Sequence, residues 1–204
     1  MSRKRKVEMI EKLPVYEGYF RVNAYRLRHE LHLGGMSQEI RREVFERGHA
    51  VGVLLYDPAR RQVVLQEQFR IGAHVAGFNP WLTEIVAGII EPGESPEDVA
   101  RREASEEAGL TVTDLIPLCH YLVSPGGTSE SVRLYLGRID TEGAGGIHGL
   151  DHEDEDIRVI ALDVAEALAL LHDDKVDNAL LVIALQWLAL NENKARAAWG
   201  FDPV

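Results

Sequence analysis

The sequence predicts an α/β protein in which a mixed β-sheet lies between α-helices, preceded by a smaller N-terminal β-rich subdomain. Three observations carry that expectation. Residues 7–47 alternate polar and apolar side chains more like strands than helices. From His49 the pattern changes to AVGVLLYD and QVVLQEQF, two strands around an Asp57-Pro58 turn. Further strand-like segments then run up to two stretches of helical periodicity, at 165–171 and 178–190. The change of pattern sets a boundary near residue 48, giving a subdomain over 1–48 and a larger domain over 49–204.

In chain order, VEMIEKLPVYEG and YFRVNAYRLRHEL read as extended segments with a turn near Glu17 and Gly18. Gly34-Gly35 marks another turn. MSQEIRREVFERG follows as a further strand, with Ile40, Val44 and Phe45 leaving a short helix open as the alternative. Strands are expected at 83–87, in LIPLCHYLVS, in SVRLYLGRID and in IRVIAL, and Cys119 is expected to pack as a small apolar residue. Gly143 to Asp156 is rich in glycine and then acidic, which predicts a mobile loop. The helix over 178–190 is expected to be buried.

Composition narrows the function. A chain of 204 residues that is 46% hydrophobic can bury a full core. Its one cysteine excludes an internal disulfide framework and fits a reducing cytoplasm. No apolar run approaches the roughly 20 residues of a membrane span. The basic start MSRKRK lacks the apolar stretch of a secretory leader and reads as a solvated tail. A net charge of −11 argues against nucleic acid as a partner. It leaves room for a phosphorylated small molecule neutralised locally by metal ions and placed arginines.

The chemistry is concentrated in GIIEPGESPEDVARREASEEAGL, residues 88–110. Gly88 and Gly93 bracket a tight loop that contains Pro92. Ser95 suits a helix N-cap, Pro96 the first helical position and Gly109 the stop. Pro96, Ala100, Ala104 and Ala108 form a small-residue stripe able to pack on a core. A neighbouring stripe carries Glu103, Glu106 and Glu107 at helical spacing. These carboxylates repel one another near a helix C-terminus, where negative charge costs roughly 0.3–1 kcal/mol per residue. A hard divalent cation such as Mg²⁺ would turn that penalty into a binding site. Arg102, one turn before Glu106, can hold that carboxylate in place.

The order of these residues is more restrictive than their composition. Gly88, Glu94, Arg102, Glu103, Ala104, Glu106, Glu107, Gly109 and Leu110 satisfy the pattern G-x5-E-x7-R-E-U-x-E-E-x-G-U, where U is apolar or small. This resembles the Nudix box of the Nudix hydrolases and implies the Nudix fold. The likeness extends to the bacterial ADP-ribose pyrophosphatase branch. It is carried there by Pro125 in SPGGTSE, sixteen residues after Gly109, by MSQEIRREVFERGHA, by EQFRIGA and by the acidic GLDHEDEDIRV.

The resemblance implies metal ligation by Glu103, Glu107, Glu155 and the backbone carbonyl of Ala87, with two or three Mg²⁺ ions and Mn²⁺ as a substitute. It assigns the catalytic group to Glu153 as general base, Glu106 as a third carboxylate, and Arg102. Glu153 is chosen over Asp151, Asp154 and Asp156 by alignment of EDEDIR alone. The substrate positions are Tyr19, Phe20, Arg42, Glu43, Arg47, Arg70, Ile89, Ser124 and Glu130. The arginines suit a diphosphate or stacking on adenine, the aromatics suit the adenine face, and Glu43 and Glu130 can accept hydrogen bonds. A homodimer is implied, with the N-terminal subdomain exchanged across it. The expected reaction is Mg²⁺-dependent hydrolysis of ADP-ribose to AMP and ribose 5-phosphate. Two alternatives stay open: another nucleoside diphosphate sugar such as a GDP-hexose, and a nucleotide-sensing module that binds without hydrolysis.

Overall fold

The computed structural model describes residues 4–150, 154–172 and 176–204. The chain divides into two compact units, one of Met1–His49 with Leu122–Ser131 and one of Ala50–Tyr121 with Val132–Val204. The stretch Leu122–Ser131 lies far from the N-terminus in sequence, yet its contacts group it with the first unit.

That unit is an antiparallel sheet in the order β1 (Val7–Glu17), β2 (Arg21–His29), β3 (Ile40–Glu46). Pro14 is tolerated because β1 is an edge strand, and the register slips between Pro14 and Tyr16. Gly34 and Gly35 both adopt positive φ in the connection from β2 to β3, a conformation other residues resist. At the other edge, the Phe45 N–H donates to Gly127 O, and Phe45 O accepts from the Ser129 N–H. The residues over 40–46 are therefore a strand, and the helical alternative is not realised.

The second unit contains β4 (Ala50–Asp57), β5 (Gln62–Phe69), α1 (Ile71–Val75), β6 (Trp81–Glu84), β7 (Val86–Ile89), α2 (Pro96–Ala108), β8 (Asp114–Leu122), β9 (Ser131–Arg138), β10 (Gly146–His148), β11 (Ile157–Asp163), α3 (Val164–Ala169) and α4 (Ala179–Ala198). Its sheet runs β10-β11-β5-β4-β9-β8, with β4 and β9 parallel. Because side chains alternate along a strand, β4 serves two cores. Leu54 and Tyr56 pack with Leu181, Ala184, Leu185 and Leu188 of α4. Val51, Val53 and Leu55 pack with Val99, Ala100, Ala104 and Ala108 of α2. The result is a mixed sheet between helices, as expected.

The sheet splits at its centre. β4 and β5 pair only over Leu55–Asp57 and Gln62–Val64. Beyond that, β7 takes the free edge of β4 from Ala50 to Val53, and β6 takes that of β5 from Gln66 to Phe69. A wedge opens between two strands that began as neighbours.

Four local expectations are corrected. The region Gly143–Asp156 is not loop throughout, since Gly146–His148 pairs antiparallel with Ile157–Val159 as β10. Helix α1 was not expected, because its five residues are too few to show a period. Helix α4 runs on past Leu190 to Ala198, where buried Arg196 donates to the Asp202 and Pro58 carbonyls. Cys119 is exposed on β8 and does not pack in the core. Among the described residues, no helix is long and apolar enough to cross a membrane.

Asp57 ends β4 and ties the adjoining turn together. Its carboxylate accepts hydrogen bonds from the backbone of Ala59, Arg60 and Thr141 and from the Thr141 hydroxyl, and it pairs with the Arg60 guanidinium at 2.9 Å. Burial pushes the Asp57 carboxyl up, but hydrogen bonds from Thr141 and Arg60 outweigh it and bring it down to about 2. An unfolded aspartate titrates near 3.9, so this stabilisation is complete above about pH 4 and is lost as pH falls through about 2. Asp57→Asn should lower the unfolding free energy at neutral pH by about 3 kcal/mol in a denaturant titration, and should flatten this acid dependence.

Candidate metal and active site

Helix α2 delivers the acidic side chains, and its ends are fixed by local chemistry. The Ser95 hydroxyl accepts from the Asp98 N–H at 3.2 Å, with Pro96 next in the first turn. Glu97 and Asp98 complement the positive end of the helix. At the other end Gly109 turns left-handed at φ 66°, and the Leu110 N–H reaches back to Ala104 O. The small-residue stripe lies on the core, with Ala100 and Ala104 fully buried. That contact sets the rotation of the helix and aims the carboxylates at the wedge in the sheet.

Glu107 enters the wedge itself and is 3% exposed. Its Oε2 accepts from Gln66 Nε2 on β5 at 3.0 Å and from the Ala87 N–H on β7 at 3.1 Å. Glu103, one turn earlier, lies directly over Gly88. A methyl group there would stand 1.7 Å from Glu103 Oε1 and 2.5 Å from its Cγ. Only glycine allows this close approach. Arg102 gathers the remaining acids, contacting Glu94 at 3.1 Å, Glu103 at 2.9 Å and Glu106 at 2.9 Å. The Glu94 carboxylate in turn accepts from the Glu91 N–H, closing the preceding loop.

The electrostatics are those of charge held in a confined space. Burial pushes Glu107 up to about 7; hydrogen bonds from Gln66 and Ala87 resist that rise, and the charges of Glu103 and Glu155 add to it. Burial likewise pushes Glu103 up to about 7, opposed by Arg102 and reinforced by Glu106 and Glu155. Glu155 is therefore close enough to act on both, and its own Oε2 accepts from the Leu150 N–H at 3.3 Å. Hard carboxylate oxygens that repel one another in a buried setting fit a divalent cation. Among the described residues, no three acidic, histidine or cysteine side chains already stand in a coordinating arrangement. Glu103 is turned onto Arg102, and one oxygen of Glu107 is engaged by two N–H donors.

The residues expected at the substrate divide between the units. In the second unit, Arg70 Nε donates to the buried Glu84 at 2.8 Å, and Ile89 ends β7 half-buried. Glu84 also accepts from Asn178, the N-cap of α4. In the first unit, Phe20 stacks edge-on between Tyr19 and Phe45, and the Arg47 guanidinium lies 5.7 Å from its ring centre. Arg47 also pairs with buried Glu130 at 3.5 Å. Tyr19 is 89% exposed. Glu43 pairs with Arg41, Arg42 donates to the Arg41 carbonyl, and the Ser124 carbonyl accepts from Gly127 and Thr128. Glu153 lies outside the described residues.

Sequence reasoning missed three polar residues that organise these groups. Gln66 and Glu84 are described above. Glu46 accepts from Ser129, Tyr25 and Asn23, and these bonds, Ser129 foremost, hold its carboxyl below the usual range. For Gln66 a signal existed, since it follows directly on the apolar run Val63–Leu65 in QVVLQEQF.

Comparison with known proteins decides the family. A family model described as NUDIX domain matches residues 46–183, which span the helix, the wedge and Glu155. The chain belongs to the NUDIX family. A NUDIX relative named ADP-ribose pyrophosphatase from Escherichia coli is 51% identical over 196 residues, covering 96% of this chain and 94% of the relative. A protein of the same name from Haemophilus influenzae is 41% identical, over 95% and 90% of the two chains. A GDP-mannose pyrophosphatase from Pectobacterium atrosepticum is 32% identical, over 88% and 92%. A solved structure described as an ADP compounds hydrolase superposes with a TM-score of 0.68 at 20% identity, over 94% of this chain and 98% of that one. It shares the NUDIX fold.

The approach of Glu103 to Gly88 gives a direct test of the site. Gly88→Ala should still fold, because the Glu103 side chain can swing into solvent. The displaced carboxylate should cost on the order of 10²-fold in kcat/KM for a pyrophosphate substrate, read alongside a thermal melt.

Proposed function

We propose that this NUDIX protein hydrolyses ADP-ribose to AMP and ribose 5-phosphate with Mg²⁺. The observation that carries the reading is 51% identity over nearly the whole chain to a relative named ADP-ribose pyrophosphatase, against 32% to one named for GDP-mannose. The carboxylates of buried Glu107 and half-buried Glu103 support it, since they supply the hard anionic ligands that a diphosphate-bound cation needs.

Glu103, Glu107, Glu155 and the Ala87 carbonyl would hold two or three Mg²⁺ ions, with Mn²⁺ able to replace them. Such ions, when bound, stabilise charge on phosphoryl oxygens and lower the pKa of a coordinated water. The protein's own groups do the rest. Glu106 stays on Arg102 and keeps the helix face in order. Arg70, steadied by Glu84, offers its guanidinium nitrogens to the diphosphate. Phe20 and Tyr19 cover the adenine, Arg47 and Arg42 meet phosphate or base, and Glu43, Glu130, Ser124 and Ile89 border the ligand. Glu153 accepts a proton as water attacks phosphorus. The new P–O bond forms to that water, the bridging P–O bond breaks, and one phosphate leaves on each product.

The reading includes a homodimer in which residues 1–48 are exchanged between subunits. It is supported by β1, where Val7, Met9, Ile10, Leu13, Val15 and Tyr16 are all at least 45% exposed. A cytoplasmic setting is supported by the single free thiol.

The test is an Mg²⁺ assay over ADP-ribose, GDP-mannose and other nucleoside diphosphate sugars, with products identified. ADP-ribose should exceed GDP-mannose by at least about tenfold in kcat/KM, a difference of about 1.4 kcal/mol in transition-state binding. A reversed order overturns the substrate but not the pyrophosphatase chemistry, and tight binding without turnover would favour a sensing module. Glu153→Gln should lower kcat by about 10²–10⁴ with little change in KM, as expected for loss of a general base. Full activity in that variant moves the base to another acid of the 151–156 segment.

A further inference from the structure

We propose that Gln66 is a positioning residue, whose side-chain amide fixes Glu107 so that a single carboxylate oxygen faces the metal. The inference rests on the reading of Glu107 as a metal ligand and adds to it a residue outside the Nudix box.

Gln66 is 1% exposed and follows Val63, Val64 and Leu65, each equally buried. An amide in that setting is costly unless its hydrogen bonds are made. Only one side of it is satisfied. Nε2 donates to Glu107 Oε2 at 3.0 Å, while Oε1 is buried without a hydrogen-bond partner among the described residues. With Glu107 ionised, a reversed amide would set Oε1 against the carboxylate oxygen, acceptor against acceptor. The fold therefore buries this amide with its donor on Glu107.

The Ala87 N–H donates to the same oxygen, Oε2, at 3.1 Å. With both donors on one oxygen, the carboxylate is fixed in rotation and its Oε1 is left for the ion. The two donors come from opposite sides of the wedge, since Gln66 lies on β5 and Ala87 on β7. The Gln66 backbone is held as well, in register with Glu84 of β6 on one side and Val159 of β11 on the other. The side chain thus starts from a clamped point. A residue retained for packing alone would need no donor here, and an apolar side chain of the same length would fill the space.

The experiment compares Gln66→Met, which keeps length and bulk but removes the donor, with Glu107→Gln and the unaltered protein. Mn²⁺ binding to each is measured by isothermal titration calorimetry without substrate, and folding is checked by thermal melts in chelator. Gln66→Met should weaken Mn²⁺ binding by about 10–100-fold and raise the Mg²⁺ concentration for half-maximal turnover by a similar factor, while melting cooperatively. Gln66→Asn, whose amide is drawn back by one methylene, should show the same loss, and it decides the matter if Gln66→Met does not fold. Unchanged Mn²⁺ affinity in the folded Gln66 variants, with affinity lost in Glu107→Gln, overturns the positioning role and leaves the metal site intact. Unchanged affinity in Glu107→Gln removes the ligand assignment, and the positioning role falls with it.

Discussion

The second unit depends on one confined electrostatic conflict, the placing of Glu107 and Glu103 beside each other where the sheet divides. A buried carboxylate loses solvation, and a second nearby carboxylate adds repulsion, so both are driven toward protonation at neutral pH. Such an arrangement survives only because particular donors are placed against it. Gln66 and the Ala87 N–H hold one acid, and Arg102 holds the other. What these partners leave incomplete, a cation can complete.

The architecture around the conflict has a mechanical logic. If β4 and β5 stayed paired along their length, no N–H of β7 would point into the interior beneath the helix. Their parting admits β6 and β7, and it brings a backbone donor and a glutamine amide to the same oxygen. Gly88 then lets the helix bring Glu103 down against the strand. The small side chains of α2 set the depth of approach, and the cap residues fix where the helix starts and stops. Chemistry, packing and capping thus act on the same thirteen-residue helix.

Much of this was legible in the chain. The spacing of Glu103, Glu106 and Glu107, the flanking glycines, Ser95 and the alanine stripe are local features, and local features survive in a one-dimensional reading. What escaped was long-range. Gln66 meets Glu107 from 41 residues away and Glu84 meets Asn178 from 94 away, and no period records such contacts. The grouping of Leu122–Ser131 with the N-terminal strands escaped for the same reason. Strand β10 was missed because three residues beginning at a glycine lack a strand-like composition, and its pairing with β11 supplies what composition does not.

The most direct measurement is the thermal stability of a Glu103→Gln, Glu107→Gln double variant beside the unaltered protein, with chelator and with Mg²⁺. If the two carboxylates are in conflict until a cation joins them, neutralising both should raise the melting temperature in chelator and abolish the further rise that Mg²⁺ gives the unaltered protein. A double variant less stable in chelator, or one that still gains the full Mg²⁺ shift, would contradict the conflict and the site built on it.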